Sequence, residues 1–145
     1  MEKVKKDFED YFLKPVAIKA ASSLKRNATI KVKVDSVSEF YLVKSKSNLG
    51  VFDSASTEPE MTFTMSESTS RQILDSEETE LGQIGIDLAK LVFQKKLNIE
   101  IHAGFLKLFR MGYFGIISKG GSAFTSFLAT KGFNGVTAFK KALGR

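Results

Sequence analysis

The 145-residue chain is expected to fold as an α+β domain: a five-stranded, largely antiparallel sheet with helices packed on one face and an apolar cavity enclosed between them. Three features predict it. Apolar residues recur at helical spacing at the N-terminus and again over residues 80–95, while strict apolar–polar alternation marks residues 29–35, 60–66 and 97–102. The order along the chain runs helix, strands, helix pair, strand, helices, which fits segregated layers rather than alternating β-α units.

Val4, Phe8, Tyr11 and Phe12 place one apolar face on a helix from residue 3 to about 13, with charges between them. Pro15 interrupts this helix. Because proline is comfortable in a first helical turn, residues 15–26 restart as a second helix with Val16, Ala17, Ala20 and Leu24 inward, or the two form one kinked helix. Thr29 to Asp35 then alternates as a half-buried strand, Phe40 to Val43 is a second, and the turn residues Ser47, Asn48 and Gly50 precede a third at Val51 and Phe52. After Pro59, Met61, Phe63 and Met65 share one face of a fourth strand, opposite Thr62 and Thr64. Ser66 and Glu67 open a short helix through Leu74, and the acidic run Glu77, Glu78 and Glu80 precedes the longer helix over 80–95, favourably for its dipole. That helix carries two apolar stripes, Leu81, Ile84, Leu88, Leu91 and Val92, and Ile86, Ala89 and Phe93, so it is expected to be covered on more than one side. Leu97, Ile99 and Ile101 alternate in a fifth strand. From Gly104 a mostly apolar helix carries Phe105, Leu108 and Phe109, and Gly112, Gly115, Gly120 and Gly121 are expected to break the apolar run. Ser122 caps a further helix with Phe124, Phe127 and Leu128 inward, ended by Gly132, and a last helix follows Asn134-Gly135.

Composition narrows the function classes. The chain has no cysteine, which excludes disulfides, thiolate metal sites and cysteine nucleophiles. Its 13 Phe against no Trp and 3 Tyr supply unusually many large side chains without a polar handle. Interiors pack near crystal density, so that excess, on helices covered on two sides, points to a shell around a cavity. The net charge of +6 is uneven: +4 over residues 1–35, −6 over 36–80 and +8 over 81–145. The last third is both basic and Phe-rich, a combination suited to an anionic membrane surface. No recognition-module signature accompanies the charge, so nucleic acid is not expected as a partner. The N-terminus does not read as a signal peptide and no window is long and apolar enough to span a bilayer, so a cytoplasmic protein, peripheral at membranes, is expected.

Two segments carry a resemblance. Pro59-Glu60-Met61-Thr62-Phe63-Thr64-Met65-Ser66 resembles the P-[DE]-x-T-[FL]-x-[MV]-[ST] strand of the sterol carrier protein 2 family, and Lys96-Leu97-Asn98-Ile99 resembles that family's K-L-x-[IV] strand about thirty residues on. The resemblance covers residues 29–111. It implies a five-stranded sheet with helices enclosing an apolar tunnel for fatty acyl chains, sterols or related lipids, in one domain over residues 1–145. Residues 1–26 would form its N-terminal helical element and residues 112–145 a C-terminal helical extension or lid. Where the family often has glycine, this chain has Lys95 and Ile101, so the fifth strand is expected to run longer and the tunnel mouth to differ.

The expected function is non-catalytic binding and carriage or presentation of an apolar lipid, with a lipid ligand, transient contact with an anionic membrane surface and a protein partner. The cavity set is Phe63, Met65, Ile84, Leu88, Val92, Ile99, Phe105, Phe109, Phe124 and Phe127; Lys107, Arg110 and Lys119 are the headgroup or membrane contacts. The alternative is a scaffold or accessory subunit presenting a Phe-rich C-terminal surface to a lipid- or quinone-metabolising enzyme. No catalytic group, metal site or cofactor is expected. The glycine spacing of residues 115–122 is that of a phosphate loop, but Gly121 occupies the place of the essential lysine, which leaves a helix-breaking turn as the reading. His102 is the sole histidine and reads as a strand-end residue, and Glu77, Glu78 and Glu80 match no calcium-loop spacing.

Overall fold

Helical spacing at the N-terminus and alternation after it both become structure in the computed structural model, which describes residues 3–119. Helix α1 (Lys3–Tyr11) buries Val4 and Phe8, one turn apart, and closes its outer side with the Lys3–Asp7 and Lys6–Asp10 ion pairs. Helix α2 (Pro15–Ala21) starts with Pro15 in its first turn after an extended Lys14. It ends five residues earlier than expected: Leu24 N–H closes a turn on Ala21, and Asn27, at φ 74°, swings the chain into the sheet.

Strands β1 (Thr29–Val34), β2 (Ser38–Lys44), β3 (Leu49–Phe52), β4 (Met61–Met65) and β5 (Leu97–Ile101) form one sheet in the order β3-β2-β1-β4-β5. Three pairings are antiparallel and β1 with β4 is parallel. The register puts apolar side chains in rows on one face: Ile30 between Leu42 and Met61, and Val32 between Phe40 and Phe63. Lys31, Tyr41 and Thr62 form a row on the other face. The sheet is therefore the expected largely antiparallel one, with one parallel pair that alternation could not reveal.

Helix α3 (Glu67–Leu74) opens at Ser66, whose hydroxyl accepts from Thr69 N–H at 3.1 Å. Asp35 in the β1–β2 turn accepts from Glu67 N–H at 2.8 Å, satisfying another donor of that first turn. Helix α4 (Leu81–Phe93) follows, and Lys95 then adopts φ 63°. Lys95 N–H bonds Val92 O and Lys96 N–H bonds Leu91 O, the paired bonds of a Schellman turn. The place where the resembling family has glycine is thus a left-handed helix stop. Strand β5 pairs residue for residue with β4 and ends at Ile101.

Helices α5 (Phe105–Arg110) and α6 (Tyr113–Lys119) complete the described chain. Gly112, at φ 88°, makes the turn between them, and a Cβ there would lie 1.9 Å from Ser23 O. Contrary to expectation, Gly115 breaks nothing. It lies inside α6, where a Cβ would come 2.5 Å from Ser23 Cβ, so its lack of a side chain permits close approach to the loop after α2. The helices expected from Ser122 and Asn134, and the greater part of the 112–145 extension, lie outside the described residues.

Candidate functional site

An apolar cavity of about 230 Å³ lies between the sheet and the helices. The sheet supplies its floor through Ile30, Val32, Leu42, Phe63, Met65 and Leu97. Phe8, Phe12, Ile73, Leu81, Ile84, Leu88 and Ile116 close it from α1, α3, α4, α6 and the α1–α2 turn. Tyr11 alone among the lining residues carries a polar side-chain atom. The room comes from α2, which turns Ala17, Ala20 and Ala21 toward the cavity, at helical spacings of three and four. Larger side chains at those positions would fill the space.

A smaller pocket of about 170 Å³ adjoins it, sharing Tyr11, Ile73, Ile84 and Leu88 and edged by polar groups of α3 and α4. Burial raises the Tyr11 phenol above its ordinary pKa. On the opposite face of the sheet, Lys31, Lys33, Tyr41, Thr62, Glu100 and Lys107 line an open groove of about 660 Å³.

Two polar groups hold the cavity walls in place. Glu60, immediately before β4, is only 2% exposed, and its Oε1 accepts from Thr29 N–H and from the Tyr113 hydroxyl, each at 2.8 Å. Lys107 Nζ lies 3.6 Å from Glu60 Oε2. One carboxylate thereby ties β1 and β4 to α5 and α6. Burial, with the Glu60 charge second, pushes the Tyr113 phenol far above its usual range. Lys44, at the end of β2, is 4% exposed and donates to Ala21 O at 2.7 Å and Leu24 O at 2.9 Å. It adds a second donor to Ala21 O, which already accepts from Leu24 N–H, and meets Leu24 O beyond the end of α2; burial lowers its pKa. Lys44 follows Phe40 and Leu42 at the strand period of two, a signal that could have placed it inward had the expected strand not stopped at Val43, and Glu60 is the acid of the P-[DE] segment. Neither role was inferred, because charged residues are ordinarily solvated.

Of the expected cavity set, Phe63, Met65, Ile84 and Leu88 line the cavity. Val92 and Ile99 are partly buried against the core without lining it. Phe109 does not enter it: its side chain is 60% exposed and meets Phe114 at 6.2 Å between ring centres. The six-residue α5 turns Leu108 and not Phe109 to the core, so Phe109 shares the outer side with Leu106. The Phe105 side chain, Phe124 and Phe127 lie outside the described residues. Lys107 stands beside Glu60 and the opposite-face groove, not at the mouth of the apolar cavity; Arg110 and Lys119 are exposed.

The other motifs resolve into local structure. Residues 115–119 of the glycine-spaced segment are helical. His102 Nε2 lies 2.7 Å from Thr62 Oγ1, and Glu78 accepts from Thr79 and Glu80 N–H, each at 3.1 Å, just ahead of α4. Among the described residues no cluster of His, Asp and Glu could hold a metal ion, and no helix is long and apolar enough to cross a membrane.

No family model and no curated protein matches the chain. Among solved structures it is similar to UbiJ-SCP2, a ubiquinone synthesis protein, at a TM-score of 0.46 and 17% identity, over 81% of this chain and 96% of that one. It is also similar to the apo form of sterol carrier protein 2 from Yarrowia lipolytica, at a TM-score of 0.40 and 19% identity, over 68% and 84% of the respective chains.

Proposed function

We propose that this domain binds the apolar chain of a lipid in the cavity between sheet and helices, as a carrier or presenting module without catalytic chemistry of its own. The observation that supports the reading is the carbon lining of that 230 Å³ space between the sheet and the helices. An unfilled apolar cavity stays dry, so an apolar guest displaces no water that it must replace with hydrogen bonds. Each buried methylene contributes about 0.8 kcal/mol, and the flexible thioether of Met65 adapts to guests of differing shape. The test is native mass spectrometry of freshly purified protein, alongside titration of delipidated protein with the neutral apolar fluorophore N-phenyl-1-naphthylamine. A co-purifying lipid or micromolar saturation supports the proposal; ligand-free protein with no saturable binding refutes it.

A second reading draws on α5, where Leu106 is 71% and Phe109 60% exposed beside the exposed Arg110. Such a face suits transient contact with an anionic membrane, or with an enzyme that uses the lipid. Vesicle flotation with and without phosphatidylserine, on the parent and on L106S/F109S, tests the membrane form. Flotation that ignores lipid charge and the double substitution removes it.

A further inference from the structure

The apolar cavity and the pocket beside it have four walls in common, Tyr11, Ile73, Ile84 and Leu88, but opposite chemistry. The residues lining the pocket include Gln72, Ser76, Asp87, Lys90 and Gln94, which bring carboxamide, hydroxyl, carboxylate and ammonium groups to its neighbourhood. From this juxtaposition we infer that the ligand is a single-chain amphiphile with an uncharged, hydrogen-bonding head, its chain in the apolar cavity and its head among Gln72, Ser76 and Gln94. The inference rests on the lipid-binding reading above and narrows it to one ligand class.

Size sets the chain. If a methylene needs about the space of a water in the liquid, ~30 Å³, a cavity of 230 Å³ holds roughly eight carbons. A whole sterol or a two-chain lipid exceeds that. The adjoining 170 Å³ accepts a head of a few heavy atoms.

Charge sets the head. The pocket holds one acid and one base, and Asp87 already accepts from Gln83 Nε2 at 2.9 Å. The two charges offset each other: a carboxylate head would gain Lys90 but meet Asp87, and a quaternary ammonium would gain Asp87 but meet Lys90, so neither sign of head is favoured. An alcohol or amide instead finds amide and hydroxyl partners. Tyr11 stands at the boundary with its ring partly buried, and its hydroxyl makes no hydrogen bond to another described residue. A phenol is protonated at neutral pH, so Tyr11 is available there as a donor.

The test uses the delipidated full-length protein and competition against the neutral fluorophore N-phenyl-1-naphthylamine. Competitors are 1-octanol, octanamide, octanoate, octyltrimethylammonium and headless octane. Octanol and octanamide should compete about tenfold better than the two charged ligands and than octane. Q72L/Q94L, two exposed positions whose replacement should leave the melting temperature unchanged, should reduce octanol to within about threefold of octane while octane itself is unaffected. Asp87→Asn should strengthen octanoate several-fold. Competition blind to the head, or selectivity unchanged in Q72L/Q94L, overturns the inference and leaves the lipid reading standing. No binding of the fluorophore or of any competitor overturns both.

Discussion

The Tyr113 hydroxyl donates to the Glu60 carboxylate at 2.8 Å with both side chains buried, joining α6 to the residue immediately before β4. Tyr113→Phe deletes the donor and leaves Oε1 with Thr29 N–H alone. A loss of about 1.5–3 kcal/mol is expected in urea unfolding at pH 7, as for a hydrogen bond to a charged group. The same pair sets an alkaline dependence. Tyr113 has its pKa raised in the folded state, so its contribution is complete below the unfolded value of about 10. Above that pH the unfolded chain releases a proton that the folded chain keeps, and stability falls by about 1.4 kcal/mol per pH unit. Urea titrations from pH 9 to 11 should show a shallower fall in Tyr113→Phe; identical slopes would remove Tyr113 from the account.

Lys44 is the corresponding anchor for α2, through its bonds to Ala21 O and Leu24 O. Lys44→Met keeps the apolar stem and removes both donors, so a loss of about 1–3 kcal/mol is expected. Hydrogen exchange should accelerate most in residues 15–24. Because Ala17, Ala21 and Leu24 wall the cavity, ligand affinity should weaken as well. The lowered pKa makes the sign of the pH effect opposite to that of Tyr113: stability from Lys44 rises with pH between its depressed value and 10.5, a rise the variant should lack.

Lys95 occupies a left-handed conformation, φ 63°, at the stop of α4. Lys95→Gly relieves the Cβ clash of that region, partly offset by the greater freedom glycine has when unfolded. A net gain of about 0.5–1 kcal/mol is expected, read as a higher melting temperature with ligand affinity unchanged. A lower melting temperature would contradict the strain assigned to this turn.

Ala20→Phe places a ring in the cavity that α2 leaves open. Binding of N-phenyl-1-naphthylamine should weaken at least about tenfold, while the melting temperature holds or rises because the space is filled. Retained binding would move the ligand site elsewhere.

Gly112→Ala has two faults at once, a φ of 88° and a Cβ 1.9 Å from Ser23 O. A loss of about 2–4 kcal/mol is expected, detected as an early thermal transition. Near-parental stability would show that the α5–α6 turn can shift from Ser23.

The sequence by itself determined the elements and one face of the site. Alternation in Thr29–Val34 and Met61–Met65, and helical spacing in α1 and α4, are local patterns that burial on one side imposes, so Phe63, Met65, Ile84 and Leu88 were legible as cavity residues. Tertiary structure alone decided what depends on a distant partner. The parallel pairing of β1 with β4 is secured where Glu60 N–H meets Thr29 O, and no local period encodes a neighbour thirty residues away. Phe109 turned outward because Leu108 took the core position on a helix too short to resolve its facing by periodicity. Gly115 reads as a breaker until Ser23 is seen against it. The burial of Glu60 and Lys44 was decided by the fold, because it becomes tolerable only once Thr29, Tyr113, Ala21 and Leu24 have been folded around them to supply their hydrogen bonds.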